Sequence, residues 1–147
     1  MRVPGLALAL WTAAACGDRD AAAPGEEVAD TAVQAERLDP GLAALLPPGS
    51  TFEEAEEGQR LFLVCTVCHG LDGGGTALGP SLRAGEWIHL DTIDVPRIAA
   101  LVREGIDRPR EYPIPMPAQG GGEFDEGQLR SLATYVYLLS RQTEPGP

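Results

Sequence analysis

The 147-residue chain carries 22 acidic and 11 basic side chains, a formal net charge of −11 at pH 7, and every one of its cations is arginine. Without lysine it can form no Schiff base and no lysine-bearing phosphate loop, and so acidic a chain is a poor partner for nucleic acid. The charge favours instead a partner with a basic docking face, and the length suggests one domain.

Arg2 precedes an apolar run from Val3 to Ala15 that ends at Cys16. One positive charge followed by a short apolar stretch reads as a secretory signal over 1–15, too short to span a membrane comfortably. Ala13-Ala14-Ala15-Cys16 reads as a lipoprotein box, with ordinary cleavage after Ala-x-Ala as the alternative. Lipidation of Cys16 is the favoured reading, because two of the three cysteines are used elsewhere and the third would otherwise be a lone thiol in an exported protein. This predicts a cell-envelope or periplasmic lipoprotein held at a membrane. Residues 16–49 are rich in Ala, Glu, Asp, Pro and Gly, and Pro40, Pro47 and Pro48 interrupt any helix. They read as a lipid-anchored flexible linker, able to let a folded domain at 50–142 reach away from the membrane. Residues 143–147 read as a disordered tail.

The first helix is predicted to begin near Ser50 or Thr51, since Ser50-x-x-Glu53 and Thr51-x-x-Glu54 both fit a capping box. Gly58 sits inside it, where glycine costs up to about 1 kcal/mol relative to alanine. A second helix crossing close above explains that glycine best. Asp94 can cap a helix over 95–104, with Pro96 in its first turn and Gly105 at its end. Asp125 and Gln128 form a capping box for a last helix over 126–140, along which Leu129, Leu132, Val136 and Leu139 keep helical spacing. No segment alternates long enough to predict a strand, so the fold class is all-α.

Cys65, Cys68 and His69 make a Cys-x-x-Cys-His run, the attachment signature of haem c. On a helical turn the three side chains share one side. Two thiols can then bond the haem vinyl groups while the imidazole binds iron. The competing reading is a zinc site, with His89 as a fourth donor. Gly73-Gly74-Gly75 lacks the residues of a phosphate loop and reads as a loop around the haem edge. Tyr112-Pro-Ile-Pro-Met-Pro-Ala118 holds Met116 between prolines, a stiff setting for a weak thioether ligand.

From about Thr51 to Ser140 the chain resembles the class I cytochrome c family. The resemblance rests on Gly58-Gln-Arg-Leu-Phe62, the Cys65–Gly70 run, Gly79-Pro80-Ser81-Leu82, Met116-Pro117, and the last helix with Leu129, Leu132 and Tyr135. It implies three to four helices wrapped around one covalently bound haem, with the first and last helices crossing so that Gly58 and Phe62 meet Leu132 and Tyr135. It also implies iron ligation by His69 and Met116, and a Pro80 carbonyl that accepts a hydrogen bond from the other ring nitrogen of His69. Trp87, Ile88 and Tyr112 become candidates to line the haem pocket, with Arg83 and Arg110 as possible propionate partners. His89 stands as the competing sixth ligand.

The function so implied is one-electron transfer in the bacterial envelope, with no catalytic residues and no enzyme activity. Two alternatives remain open at this stage. One is a haem-bearing subunit of a dehydrogenase or terminal reductase complex, and the other is a ligand-binding or sensor haem protein.

Overall fold

A computed structural model describes residues 37–83 and 87–142. The expected signal segment, Cys16, most of the expected linker and the tail at 143–147 lie outside the described residues. Four α-helices form the described part: α1 Phe52–Leu61, α2 Thr66–His69, α3 Val95–Glu104 and α4 Glu126–Arg141. Short 3-10 turns cover Pro40–Leu45, Phe62–Cys65 and Ala118–Gly121. The described residues contain no strand, as the helical periodicity predicts.

Each long helix starts where its sequence supplies a cap. Thr51 Oγ1 accepts the Glu54 N–H at 3.1 Å, and the Glu54 carboxylate accepts the Thr51 N–H at 2.9 Å. The rival cap, Ser50, is used elsewhere: its hydroxyl lies 3.3 Å from that of the fully buried Thr134. Asp94 accepts the Arg97 N–H at 2.8 Å to start α3, and Asp125 with Gln128 closes a capping box on α4. Leu61, Phe62, Cys65 and Thr66 all keep right-handed helical dihedrals. One helical path therefore runs from Phe52 to His69 and delivers both cysteines.

The crossing of α1 on α4 has the predicted glycine at its centre. A Cβ on Gly58 would stand 2.0 Å from the Ser131 carbonyl oxygen and 2.7 Å from Tyr135 Cβ. Such distances are impossible, so only glycine lets the two backbones meet. Phe62 and Tyr135 meet edge-to-face beside it, centroids 5.3 Å apart at 65°. The stripe expected on α4 proves too narrow. Ser131, Ala133, Thr134, Leu138 and Ser140 are buried as well, because α1, α3 and the N-terminal 3-10 turn all pack on this helix and leave it almost no open face.

The end of the expected linker contributes to the core. Leu38 is 5% exposed within the main cluster, with Leu42 and Leu46 packed against it. Leu42 lies within the 3-10 turn and Leu38 and Leu46 flank it, so the turn lays all three against the core, while Asp39 caps it by accepting the Gly41 N–H at 2.8 Å. Arg130 of α4 donates to the Gly49 carbonyl at 2.7 Å and to Glu54 at 3.0 Å. Prolines, read from sequence as breaks in a tether, here shape a short packed strap.

Leu38→Ala is expected to lower the unfolding free energy of the holoprotein by about 2–4 kcal/mol. Leu45→Ala, at a side chain 39% exposed, should change it by no more than about 0.5 kcal/mol. Denaturant titration of both variants checks this, since a free tether would make the two alike.

Candidate functional site

The helices enclose a cavity of about 590 Å³ whose lining is largely apolar. Cys65, Cys68, His69, Pro80 and Met116 all line it, as do Trp87, Ile88, His89 and Tyr112. Phe62 and Leu82 close one part of the wall, Ile98, Leu101 and Val102 of α3 another, and Leu132 and Val136 of α4 a third. Residues far apart in the chain thus converge on one space.

His69 is 8% exposed, at the end of α2. Its Nδ1 lies 2.9 Å from the Pro80 carbonyl oxygen. A carbonyl only accepts, so Nδ1 carries the proton and Nε2 keeps a free lone pair. Burial holds the imidazole pKa below its ordinary value, partly opposed by the bond to Pro80. The ring is therefore neutral and oriented, which is what a metal ligand requires.

The loop carrying Pro80 is fastened to the cysteine segment mainly by backbone. Gly75 N–H donates to the His69 carbonyl at 2.8 Å, and the Thr76 hydroxyl donates to the Cys68 carbonyl at 2.7 Å. The same hydroxyl accepts the Leu78 N–H at 3.0 Å. Gly79 lies where a Cβ would be 3.0 Å from the Cys68 carbonyl oxygen. Farther round, Arg83 Nε donates to the Asp72 carbonyl at 2.7 Å, and its guanidinium pairs with the Asp72 carboxylate at 3.3 Å. The Asp72 carboxyl is held below its usual range, chiefly by the Gly74 N–H and also by Arg83. Gly73-Gly74-Gly75 is part of this fastening, because Gly73 and Gly75 have φ of 76° and 86°. Thr76 and Asp72 gave no sequence signal beyond lying in a turn-rich stretch.

Cys65 and Cys68 are free, half-buried thiols. Burial first, and the neighbouring Cys68 second, push the Cys65 pKa up to about 11. At neutral pH the thiolate is then a very small fraction, on the order of one part in ten thousand.

Met116 reaches the cavity on a loop pinned to the end of α3. Its N–H and carbonyl both pair with Ile106, at 3.1 and 2.8 Å. Gly105 makes this possible. It ends α3 with φ of 72°, and a Cβ there would stand 2.5 Å from the Met116 carbonyl oxygen and 2.7 Å from the Ala118 nitrogen. In the sequence Gly105 reads only as a helix terminator. The close approach of a segment eleven positions later leaves no local signature.

The remaining candidates divide. The Trp87 indole nitrogen is buried with no hydrogen-bond partner among the described residues. An orphaned donor in an apolar wall marks a place for an acceptor on a bound group. Arg83 is turned to Asp72, and Arg110 donates to the Ile88 carbonyl at 3.1 Å, so neither is aimed at the cavity by these contacts. Among the described residues, no three His, Cys, Asp or Glu side chains converge as a metal site. The zinc reading thereby lacks the donor set it needs.

An apolar cavity holding two thiols, a neutral oriented imidazole, a thioether and an orphaned N–H fits a large, mostly apolar cofactor with metal and polar groups. These features define a helical haem-binding protein. The family model for cytochrome c matches residues 55–140, and the chain belongs to that family. Its members bind covalently attached haem c and carry electrons, and the spacing of Cys65, Cys68 and His69 is that of the family's attachment motif. No curated protein and no solved structure matches the chain.

Gly105→Ala is expected to cost about 3 kcal/mol, since backbone strain is joined by displacement of the Met116 backbone. Gly49 shares the positive φ but has open space around it, so Gly49→Ala should cost only about 1 kcal/mol. Comparing the two by thermal unfolding separates the close approach from the dihedral alone.

Proposed function

We propose that this cytochrome c domain is a one-electron carrier of the bacterial envelope. In this reading Cys65 and Cys68 would hold the haem through thioether bonds, and His69 Nε2 and Met116 Sδ would be the ligands to its iron. The bound haem supplies the one-electron couple. The protein's own residues supply the rest. Pro80 fixes the His69 ring and raises its basicity as a ligand. Gly105 and the Ile106–Met116 pairing hold the thioether on a stiff loop, so little ordering accompanies a change of charge. The apolar walls keep water from the cavity and favour the state of lower charge.

One observation carries this reading: the buried His69 and the half-buried Met116 line the same cavity as both thiols. With two protein ligands no open coordination position remains, which favours electron transfer over ligand binding or sensing. Trp87 is suited to donate its indole N–H to a haem carboxylate.

The same proposal extends to the rest of the chain. Residues 1–15 direct export, Cys16 bears the lipid, a linker follows, and the haem domain continues to about residue 142. No helix among the described residues is long and apolar enough to cross a membrane, so attachment would come from the lipid. The acidic chain would exchange electrons with protein partners that present a basic face.

The decisive experiment is an absorption spectrum of the purified protein, oxidised and reduced, followed by alkaline pyridine to identify the attached haem. The expected result is one haem c per chain, and a colourless protein from a host competent in haem attachment would overturn the proposal. Met116→Ala should keep the attached haem, change the oxidised spectrum and lower the reduction potential. An unaltered spectrum and potential would remove Met116 from the ligand set. Cys16→Ser should shift the protein from the membrane to the soluble fraction on cell fractionation, and continued membrane partitioning would exclude the lipid anchor.

A further inference from the structure

The chain leaves α2 at His69 and doubles back, so that the Pro80 carbonyl meets the ring of His69. Two bonds tie this loop to α2: Gly75 N–H to the His69 carbonyl at 2.8 Å, and the Thr76 hydroxyl to the Cys68 carbonyl at 2.7 Å. Two more cross the loop, Thr76 N–H to the Gly79 carbonyl at 2.9 Å and Leu82 N–H to the Gly73 carbonyl at 2.7 Å. Beyond Pro80 the loop is closed by a side chain. Arg83 Nε donates to the Asp72 carbonyl at 2.7 Å, and the guanidinium pairs with the Asp72 carboxylate at 3.3 Å. Asp72 is itself fixed, since its carboxylate accepts the Gly74 N–H at 3.0 Å. Neither Arg83 nor Asp72 lines the cavity, so the clasp they form can act on its contents only through the loop.

Arg83 differs from the other paired arginines. Its side chain is 16% exposed, whereas those of Arg60, Arg97, Arg103 and Arg130 are 41–58% exposed. An exposed ion pair contributes little, because water competes and two long side chains lose their freedom. A covered guanidinium that also donates to a main-chain carbonyl is held more firmly, since a carbonyl cannot swing away. The loop is seated on α4 beside this clasp. A Cβ on Gly73 would stand 2.8 Å from Leu139 Cδ1. One turn earlier, burial raises the Tyr135 phenol pKa, and the charges of Arg83 and Asp72 act on it in opposite directions. The same Tyr135 meets Phe62 at the α1–α4 crossing. The clasp therefore sits where the Pro80 loop meets the crossing from which α2 extends.

We propose that Arg83 is a positioning residue for the iron centre: clasped to Asp72, it holds the Pro80 carbonyl against His69 Nδ1 and thereby sets the reduction potential. This rests on the reading of His69 as an iron ligand. The bond from Nδ1–H to Pro80 leaves more electron density on Nε2, and a stronger donor favours the ferric state over the ferrous. With the clasp open the carbonyl recedes, the ring donates less, and the potential rises. Charge alone acts the other way. Removing a cation from the surroundings of the iron favours the ferric state and lowers the potential. The two accounts of Arg83 thus differ in sign.

The holoprotein variant Arg83→Met keeps the length of the side chain and removes its charge and its donors. Its reduction potential should rise. In the ferrous protein the His69 Nδ1 proton should exchange with solvent about tenfold faster, the order set by one lost charge-assisted hydrogen bond. Redox titration and proton NMR read the two effects on the same sample. Arg83→Lys keeps the charge and a single point of donation, and it should recover part of each change. Asp72→Asn retains an acceptor for Gly74 but not the ion pair, and it should also speed the exchange. Arg97→Met opens an exposed pair at the start of α3 and should move neither reading. A fall in potential in Arg83→Met, or a rise without faster exchange, would overturn the proposal. So would a loss of thermal stability that leaves both readings unchanged. Should Arg83→Met fail to take up haem, an unchanged exchange rate in Asp72→Asn overturns it instead. A colourless unmodified protein would overturn the haem reading and this proposal with it, whereas a coloured one with any of these adverse results overturns this proposal alone.

Discussion

The contact of two backbones at Gly58 sets the frame in which every other feature sits. Where α1 rests on α4 a side chain of even one carbon would collide with the Ser131 carbonyl. The edge-to-face contact of Phe62 with Tyr135 extends the crossing towards the cysteines. The helical path that leaves this crossing ends at His69, so the position of the imidazole is inherited from it. A close backbone approach gives many small dispersion contacts and little freedom to shift, which suits a protein whose cofactor must be held in one geometry.

Around the cavity, side chains that could serve as ligands are held mostly by the main chain. His69 is oriented by a carbonyl, its loop is tied by the amide of Gly75 and the hydroxyl of Thr76, and Met116 is pinned by a pair of amide bonds to Ile106. Backbone partners lose little entropy when they form such bonds, and they cannot rotate away. Glycines at 75, 79 and 105 admit these contacts because each lies where a Cβ would meet neighbouring backbone. Stiff surroundings of this kind hold the His69 ring and the Met116 backbone in one geometry at the cavity wall.

The outside of the same helical path has a different logic. Helix formation at Thr51 draws acidic residues into the first turn, where they oppose the positive helix end. Their presence also leaves the segments that bear the thiols and Met116 negatively charged, while most of the arginines belong to the rest of the described chain. One stretch of sequence thereby sets a helix start and a negatively charged outer face together.

Much of the fold and of the site was legible from sequence because its signals are local. The capping boxes at Thr51 and Asp125, the Cys-x-x-Cys-His run and the helical spacing of α3 and α4 each need only a few neighbouring residues to be read. Gly58 was legible for a further reason: a glycine inside a helix is costly enough to demand a close neighbour. Other features had no local trace. Leu38, Leu42 and Leu46 sit among prolines and small residues, and only the surface of α4 makes them core. The burial of α4 on nearly every side from Ser131 to Ser140 follows from three elements packing on one helix. The register of Ile106 with Met116, the need for glycine at 105 and the fastening of the Pro80 loop by Thr76 are all contacts between separate segments. The chain by itself determined which residues form helices and which chemistry they carry, since propensity, capping and motif spacing act over one or two turns. Which of them share a cavity was decided only by the tertiary structure, because that depends on backbones meeting across tens of residues.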